Sequence, residues 1–169
     1  MGIQTPERAT EPAAGDVRID VIARAIFDNF NLRRVDESAQ WVADDCVWED
    51  VPTGTVFRGP DGYVEFDNAW IRAFPDARIE VTSMVTEGDM VVTEFDAFGT
   101  QQGPLTSSTG ETIAPTGKAV QMRCIEVHQY GGGQVVRARF YYDALTLLRQ
   151  LDAIPWGGAE GQIHEEIES

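Results

Sequence analysis

From residue 77 to residue 142 the sequence is dominated by four long stretches in which apolar and polar residues alternate: Ala77 to Thr86, Met90 to Thr100, Ala119 to Tyr130 and Val135 to Tyr142. Alternation with a period of two marks strands that bury one face and solvate the other. The turns Glu87-Gly88-Asp89 and Gly131-Gly132-Gly133 are short enough to fold each outer pair into an antiparallel hairpin. What precedes them is helical. Ile19, Ile22, Ile26 and Phe30 fall at spacings of three and four and line one helix face. A short helix from about Asp36 to Ala43 buries Trp41 and Val42. The strands Cys46 to Val51 and Thr55 to Arg58 follow, joined across Pro52-Thr53-Gly54. Gly59-Pro60-Asp61-Gly62 opens a third helix whose apolar face is Tyr63, Phe66, Trp70, Ile71 and Phe74, stopped by Pro75-Asp76. Helices first and long antiparallel strands last predict an α+β domain, a curved sheet wrapped around the helices.

A chain of 169 residues with 43% hydrophobic content supports one well-buried core, so a single domain over residues 15–152 is expected, with a disordered lead-in over 1–14 and a tail over 153–169 that carries Trp156. The formal charge of −15 offers no basic surface to a phosphate backbone or an anionic membrane. The first residues, MGIQTPERAT, lack the apolar segment of a secretion signal, and the cytoplasm is the expected location. Cys46 and Cys124 read as reduced, mostly buried thiols. The only histidines, His128 and His164, lack metal-ligand spacing, so neither a metal nor a cofactor is expected. The polar segment from Gly103 to Gly117 is longer than a hairpin needs and reads as a lid over a pocket mouth.

Several carboxylates sit where chemistry is plausible by residue type. Glu126 shares a strand face with Met122, Cys124 and His128, whereas Arg123, Ile125 and Val127 occupy the other. With the Met-Cys face inward, Glu126 is a carboxyl group in an apolar wall, suited to general acid or base work. With the Ile-Val face inward, it is solvated or paired with Arg123 or Arg139. Glu94 and Asp96 share a face with Val92 and Phe98, and the apolar count favours burial of the opposite face, Val91, Thr93, Phe95 and Ala97. Trp48 and Asp50 alternate just before the Pro52 turn, an aromatic wall beside a carboxylate. Of Tyr141 and Tyr142 only one can line a pocket. Asp143 precedes Leu145, Leu147, Leu148 and Leu151 and is placed to cap a short helix.

The order of Pro-Thr-Gly-Lys turn (Pro115 to Lys118), strand, triple-glycine turn, strand ending Phe140-Tyr141-Tyr142-Asp143 and Leu-rich helix resembles the C-terminal half of the SnoaL-like polyketide cyclases. The resemblance extends over about Asp16 to Leu151. It implies the cone-shaped nuclear transport factor 2-like fold and cofactor-free ring closure on a hydrophobic, polyketide-like substrate. In that family the catalytic pair looks like a His on the penultimate strand and an Asp on the last; these positions fall on Glu126 and Phe140 here. The related limonene epoxide hydrolases use an Asp-Arg-Asp set. Matching them aligns Trp48 and Asp50 with a Tyr-x-Asn segment, and Glu94 and Asp96 with an Arg-x-Asp segment. Both matches turn the Glu94, Asp96 and Glu126 faces inward. The resemblance therefore implies Glu126, Asp96, Glu94 and Asp50 as catalytic carboxylates, with Trp48, Trp70, Met122, Cys124, His128, Phe140 and Tyr142 around the substrate. An epoxide hydrolase and a non-catalytic pocket protein are the rival readings. A one-sided antiparallel sheet has a second face to cover, so a homodimer is expected.

Overall fold

A computed structural model describes residues 18–106 and 112–154. Helix α1, Ile19–Asn31, presents Ile22, Ala23, Ile26, Phe27 and Phe30 to the core. Each large apolar side chain removed from water there contributes on the order of 1.5–3 kcal/mol. The second helix is shorter than its apolar pattern suggests. Strand β1 begins at Val42, so only Val35–Ser38 remains α-helical (α2), with a 3₁₀ turn over Ala39–Trp41. The extended conformation wins at Val42 and Ala43 because both are buried at the start of β1, Val42–Asp50.

Strand β2, Thr55–Arg58, returns antiparallel to β1 and leads into α3, Gly59–Ala73. Gly59 takes a positive φ of 64°, and a Cβ there would lie 2.8 Å from the Asp44 carbonyl oxygen, so the chain turns into α3 where only glycine fits. Strands β3 (Arg78–Glu87), β4 (Met90–Thr100), β7 (Ala119–Gly131) and β8 (Gln134–Tyr142) match the four expected long strands. The β7–β8 turn uses Gly132 and Gly133, both at positive φ, as a two-residue hairpin of this kind requires. Helix α4, Ala144–Gln150, is capped as expected: the Asp143 carboxylate accepts from the Thr146 backbone N–H at 3.0 Å.

The six-stranded sheet has the order β2-β1-β8-β7-β4-β3. Neighbours are antiparallel except β1 and β8, which run parallel and bring the two sequence-distant parts of the inner face together. Helices α1 and α3 pack on that inner face. Both cysteines are buried free thiols, and burial pushes Cys46 up to about 11 and Cys124 up to about 12. No helix among the described residues is long and apolar enough to cross a membrane.

The segment expected as a lid is anchored at its base. Leu105–Thr106 (β5) and Thr112–Ile113 (β6) form a small ribbon. Gln101, fully buried, accepts from the Thr116 backbone N–H and hydroxyl through Oε1 and donates through Nε2 to the Gly103 and Ile113 carbonyls. The backbone N–H groups of Gln102 and Gly103 donate to the Ala73 carbonyl at the end of α3. The tip of this segment, the lead-in over 1–14 and Trp156 lie outside the described residues.

Candidate active site

The inner face of β7 carries Val120, Met122, Cys124, Glu126, His128 and Tyr130, each buried, while Gln121, Arg123, Ile125 and Gln129 are exposed. Parity alone left the direction of Glu126 open. Packing decides it, because α1 and α3 cover the Met-Cys face and leave Ile125 41% exposed. Glu126 is 6% exposed, and its Oε1 lies 3.6 Å from His128 Nε2 with no hydrogen bond made by either atom. The other ring nitrogen of His128 meets the Tyr130 hydroxyl at a long 3.4 Å.

The parallel β1–β8 pairing assembles the rest. Asp50 is opposite Phe140, and Phe140 is opposite Glu126, so the three side chains stand in one row across the inner face. Two strand spacings separate the Asp50 and Glu126 backbones, roughly 10 Å, with the Phe140 ring between them. One step along, Trp48, Ala138 and His128 form a second row. Ala138 is small enough that the Trp48 and His128 rings meet across it, their centroids 5.1 Å apart. Tyr142 lies inward and its hydroxyl donates to Asp50 Oδ2 at 3.4 Å, whereas Tyr141 lies outward.

Asp50 is 7% exposed and its Oδ1 has no hydrogen-bond partner. Burial raises its carboxyl from the usual 3.8 to about 6; hydrogen bonds from Thr53 and Tyr142 hold the rise back. Burial, reinforced by the Asp50 carboxylate, pushes the Tyr142 phenol upward, so the phenol stays a donor.

Glu94 and Asp96 are not part of this group. On β4 the buried residues are Val91, Thr93 and Phe95, and the alternate residues Glu94 and Asp96 stand on the outer face, within 3.9 and 3.8 Å of the Arg123 guanidinium. The apolar count on β4 gives the correct orientation and the match to epoxide hydrolases does not. Three buried residues, Val91, Thr93 and Phe95, with Ala97 partly buried beside them, outweigh two carboxylates that have an exposed cation beside them.

The sequence reading missed two residues of α3. Tyr63 is fully buried with its ring 4.8 Å from Trp48, and Asp67, one helical turn on, is 7% exposed. The Tyr63 hydroxyl makes no hydrogen bond of standard geometry, with Ser38 and Asp67 as its polar neighbours. Asp67 is raised well above the usual carboxyl value by burial first and by the nearby Glu126 second, with Tyr63 opposing. The signal was present: residues 63, 66, 67, 70 and 74 form one helical stripe, and Asp67 is its single carboxylate.

A small apolar pocket of about 50 Å³ opens beside these groups, lined by residues including Phe30, Trp70, Phe74, Met122 and Phe140. It does not reach the carboxylates directly. Phe140 is the shared wall: it lines the pocket, stands between Asp50 and Glu126, and packs edge-on against Trp70 and Phe66. Among the described residues no group of three or more His, Cys, Asp or Glu is placed to hold a metal ion.

The model of the SnoaL-like polyketide cyclases matches residues 20–151. No curated protein sequence matches the chain significantly. Among solved structures, the chain is similar to a protein from Jannaschia sp. CCS1 assigned as a SnoaL-like polyketide cyclase, with a TM-score of 0.73 at 19% identity over 87% of this chain and 100% of that one. It is similar to IdmH from Streptomyces antibioticus, assigned as a polyketide cyclase, with a TM-score of 0.64 at 24% identity over 80% of this chain and 99% of that one. A Catenulispora acidiphila protein of ketosteroid isomerase-like fold, in complex with trimethylamine, gives 0.64 at 16% identity over 79% and 97% of the two chains. These likenesses establish the α+β cone of the nuclear transport factor 2-like and ketosteroid isomerase-like proteins.

Proposed function

Since the chain belongs to the SnoaL-like polyketide cyclase family, which supports a general cyclase or isomerase-type role, we propose that it closes a ring in a hydrophobic, polyketide-like substrate by carboxylate acid and base chemistry, without a cofactor. The observation that carries this reading is the row Asp50, Phe140, Glu126 on the inner face. Two buried carboxyl groups flank an aromatic floor, and each keeps one oxygen without a partner.

Glu126 is the base. It lies in an apolar wall close to His128, and it takes the proton from a carbon acid or a hydroxyl of the substrate. Asp50 is the acid. With its carboxyl raised to about 6, an appreciable fraction holds a proton near neutral pH, which it gives to the developing alkoxide or the departing epoxide oxygen. Tyr142 donates to Asp50 Oδ2 and holds the acid in place; after ring closure Glu126 gives its proton to solvent and Asp50 takes one back, which restores the resting state. The apolar pocket lined by Trp70, Phe74, Met122 and Phe140 holds the carbon skeleton. Phe140, in place of the acid of the last strand, moves the acid one strand over to Asp50.

An epoxide-opening ether closure is favoured over an aldol closure by one feature, the protonatable Asp50, because opening an epoxide requires protonation of the leaving oxygen. The test is product analysis by mass spectrometry from a linear polyketide β-ketoester, a hydroxy-epoxide and a simple epoxide. Wild type should give an isomeric or dehydrated ring product. Glu126→Gln and Asp50→Asn should each lower kcat by about 10²–10⁴ with a small change in KM, as loss of general acid or base catalysis does. Gain of water would instead indicate a hydrolase. Binding without turnover would refute the catalytic reading.

A further inference from the structure

His128 is a buried imidazole that the proposed reaction leaves without a task. Its residue is 1% exposed, and three aromatic rings box it in: Phe27 stacks on it at 6.1 Å, Trp48 tilts against it at 5.1 Å and Tyr130 meets it edge-on at 6.1 Å. Both ring nitrogens nevertheless face polar atoms of their own strand. Alternation on β7 sets Glu126, His128 and Tyr130 on the inner face in that order. Nδ1 lies 3.4 Å from the Tyr130 hydroxyl, and Nε2 lies 3.6 Å from Glu126 Oε1. Nε2 and Oε1 are both sealed from solvent, and neither makes a hydrogen bond. The β7 residues that line the apolar pocket, Val120 and Met122, lie on the other side of Glu126 along the strand. His128 therefore stands behind the Glu126 carboxyl group, on the side away from the pocket.

The chemistry of the two ends decides which nitrogen carries the proton. Burial pushes the Tyr130 phenol upward, so its hydroxyl stays protonated and donates to Nδ1. A neutral imidazole that accepts at Nδ1 has its proton on Nε2, the atom that faces Glu126 Oε1. We propose that His128 is a positioning residue for Glu126: its Nε2–H donates to Oε1 as substrate fills the pocket and holds the carboxyl group with Oε2 turned to the substrate. The assignment rests on the base role given to Glu126 above. Oε1 accepts whether the carboxyl group is ionised or carries a proton on Oε2, so one contact serves before and after proton transfer. At 3.6 Å the two atoms are slightly beyond hydrogen-bond length, and catalytic contacts of this kind tighten in the substrate complex. The aromatic box leaves the ring no other acceptor to turn to.

The experiment has two arms on the full chain. In the first, nitrogen NMR spectra of protein labelled at its histidine rings are recorded at about pH 8, where an ordinary imidazole is neutral. His128→Gln removes the His128 signals and so separates them from those of His164, the other histidine of the chain. Wild-type His128 should show a protonated Nε2 and a bare Nδ1, and the Nδ1 resonance should move downfield in Tyr130→Phe as its donor is lost. A proton on Nδ1 in wild type, or an Nδ1 resonance unmoved in Tyr130→Phe, overturns the proposal. This arm needs no turnover, so it separates failure of this inference from failure of the cyclase reading. In the second, kcat and KM are compared for His128→Gln and His128→Phe. Glutamine offers an N–H in place of Nε2 and should retain most of kcat. Phenylalanine keeps a ring in the aromatic box without the donor, and should lower kcat by about 10–10²-fold with KM nearly unchanged, as a misplaced reacting group does. Equal losses in the two variants, or full activity in His128→Phe, overturn the proposal. If His128→Phe does not fold, Tyr130→Phe takes its place: freeing the tautomer should lower kcat several-fold, and an unchanged kcat overturns the proposal.

Discussion

Replacing Asp50 by Asn should stabilise the fold, and by an amount that depends on pH. In the native state Asp50 is 7% exposed, one carboxylate oxygen lacks a partner, and burial raises its carboxyl from 3.8 to about 6. Between those two values the unfolded chain has released the proton while the folded chain still holds it. The folded state binds more protons, so stability falls as pH rises through that window. Below about 4 both states are neutral and Asp50 costs nothing. Above about 6 the full penalty is present. A rise of roughly two units at ~1.4 kcal/mol per unit corresponds to ~3 kcal/mol. Asparagine never ionises and can still accept from Tyr142, but it leaves one amide group imperfectly paired at a cost of ~1 kcal/mol. The expected gain at pH 8 is therefore ~2 kcal/mol, or roughly 4–8 °C in Tm for a domain of this size, turning to a loss of ~1 kcal/mol at pH 4. Urea denaturation and calorimetry at pH 4, 6 and 8 measure it directly. A stabilisation that does not change with pH, or a loss at pH 8, would falsify the account of Asp50 as an ionised group held at a cost. The same variant loses turnover in the proposed reaction, so gain in stability and loss of activity should appear together.

Two further outcomes follow from other parts of the fold. The outer sheet face exposes Val92, Ile125 and Tyr141 around the Arg123, Glu94 and Asp96 cluster, and we propose that it pairs with a second copy of the chain. Wild type should sediment as a dimer and Ile125→Glu as a monomer, with the inner-face groups unaffected; a wild-type monomer at micromolar concentration would contradict this. Gln101→Ala should release the base of the β5–β6 segment, since four hydrogen bonds at about 1 kcal/mol each converge on one buried amide. Limited proteolysis should then cut between residues 103 and 117 several-fold faster, and an unchanged cutting rate would show that the anchor lies elsewhere.

What the sequence determined by itself was the kind and order of the elements. The four alternating stretches, the stripe on α1, the Pro-bearing start of α3 and the Asp143 cap are local signals, and local physics reads them: period, cap chemistry and glycine at positive φ. It also identified Glu126, Asp50 and Trp48 as residues of interest, because carboxylates and aromatics at strand ends or amid apolar positions are unusual wherever they occur; Phe140 entered only through the resemblance to the cyclase family. Direction was a different matter. Alternation says which residues share a face and cannot say which face is covered, so Glu126 was open until α1 and α3 settled on the Met-Cys side, and Glu94 and Asp96 were drawn inward by analogy when the apolar weight of β4 puts them outside. Nor can any window of sequence contain a pairing between residue 50 and residue 140. The parallel β1–β8 contact puts Asp50 beside Phe140 and Phe140 beside Glu126, and the placement of α3 brings Asp67 over the same wall. Local spacing made the chain an α+β domain with acids on its strands. Only long-range packing, which removes those acids from water and sets them beside one another, decided which of them have shifted protons and chemistry within reach.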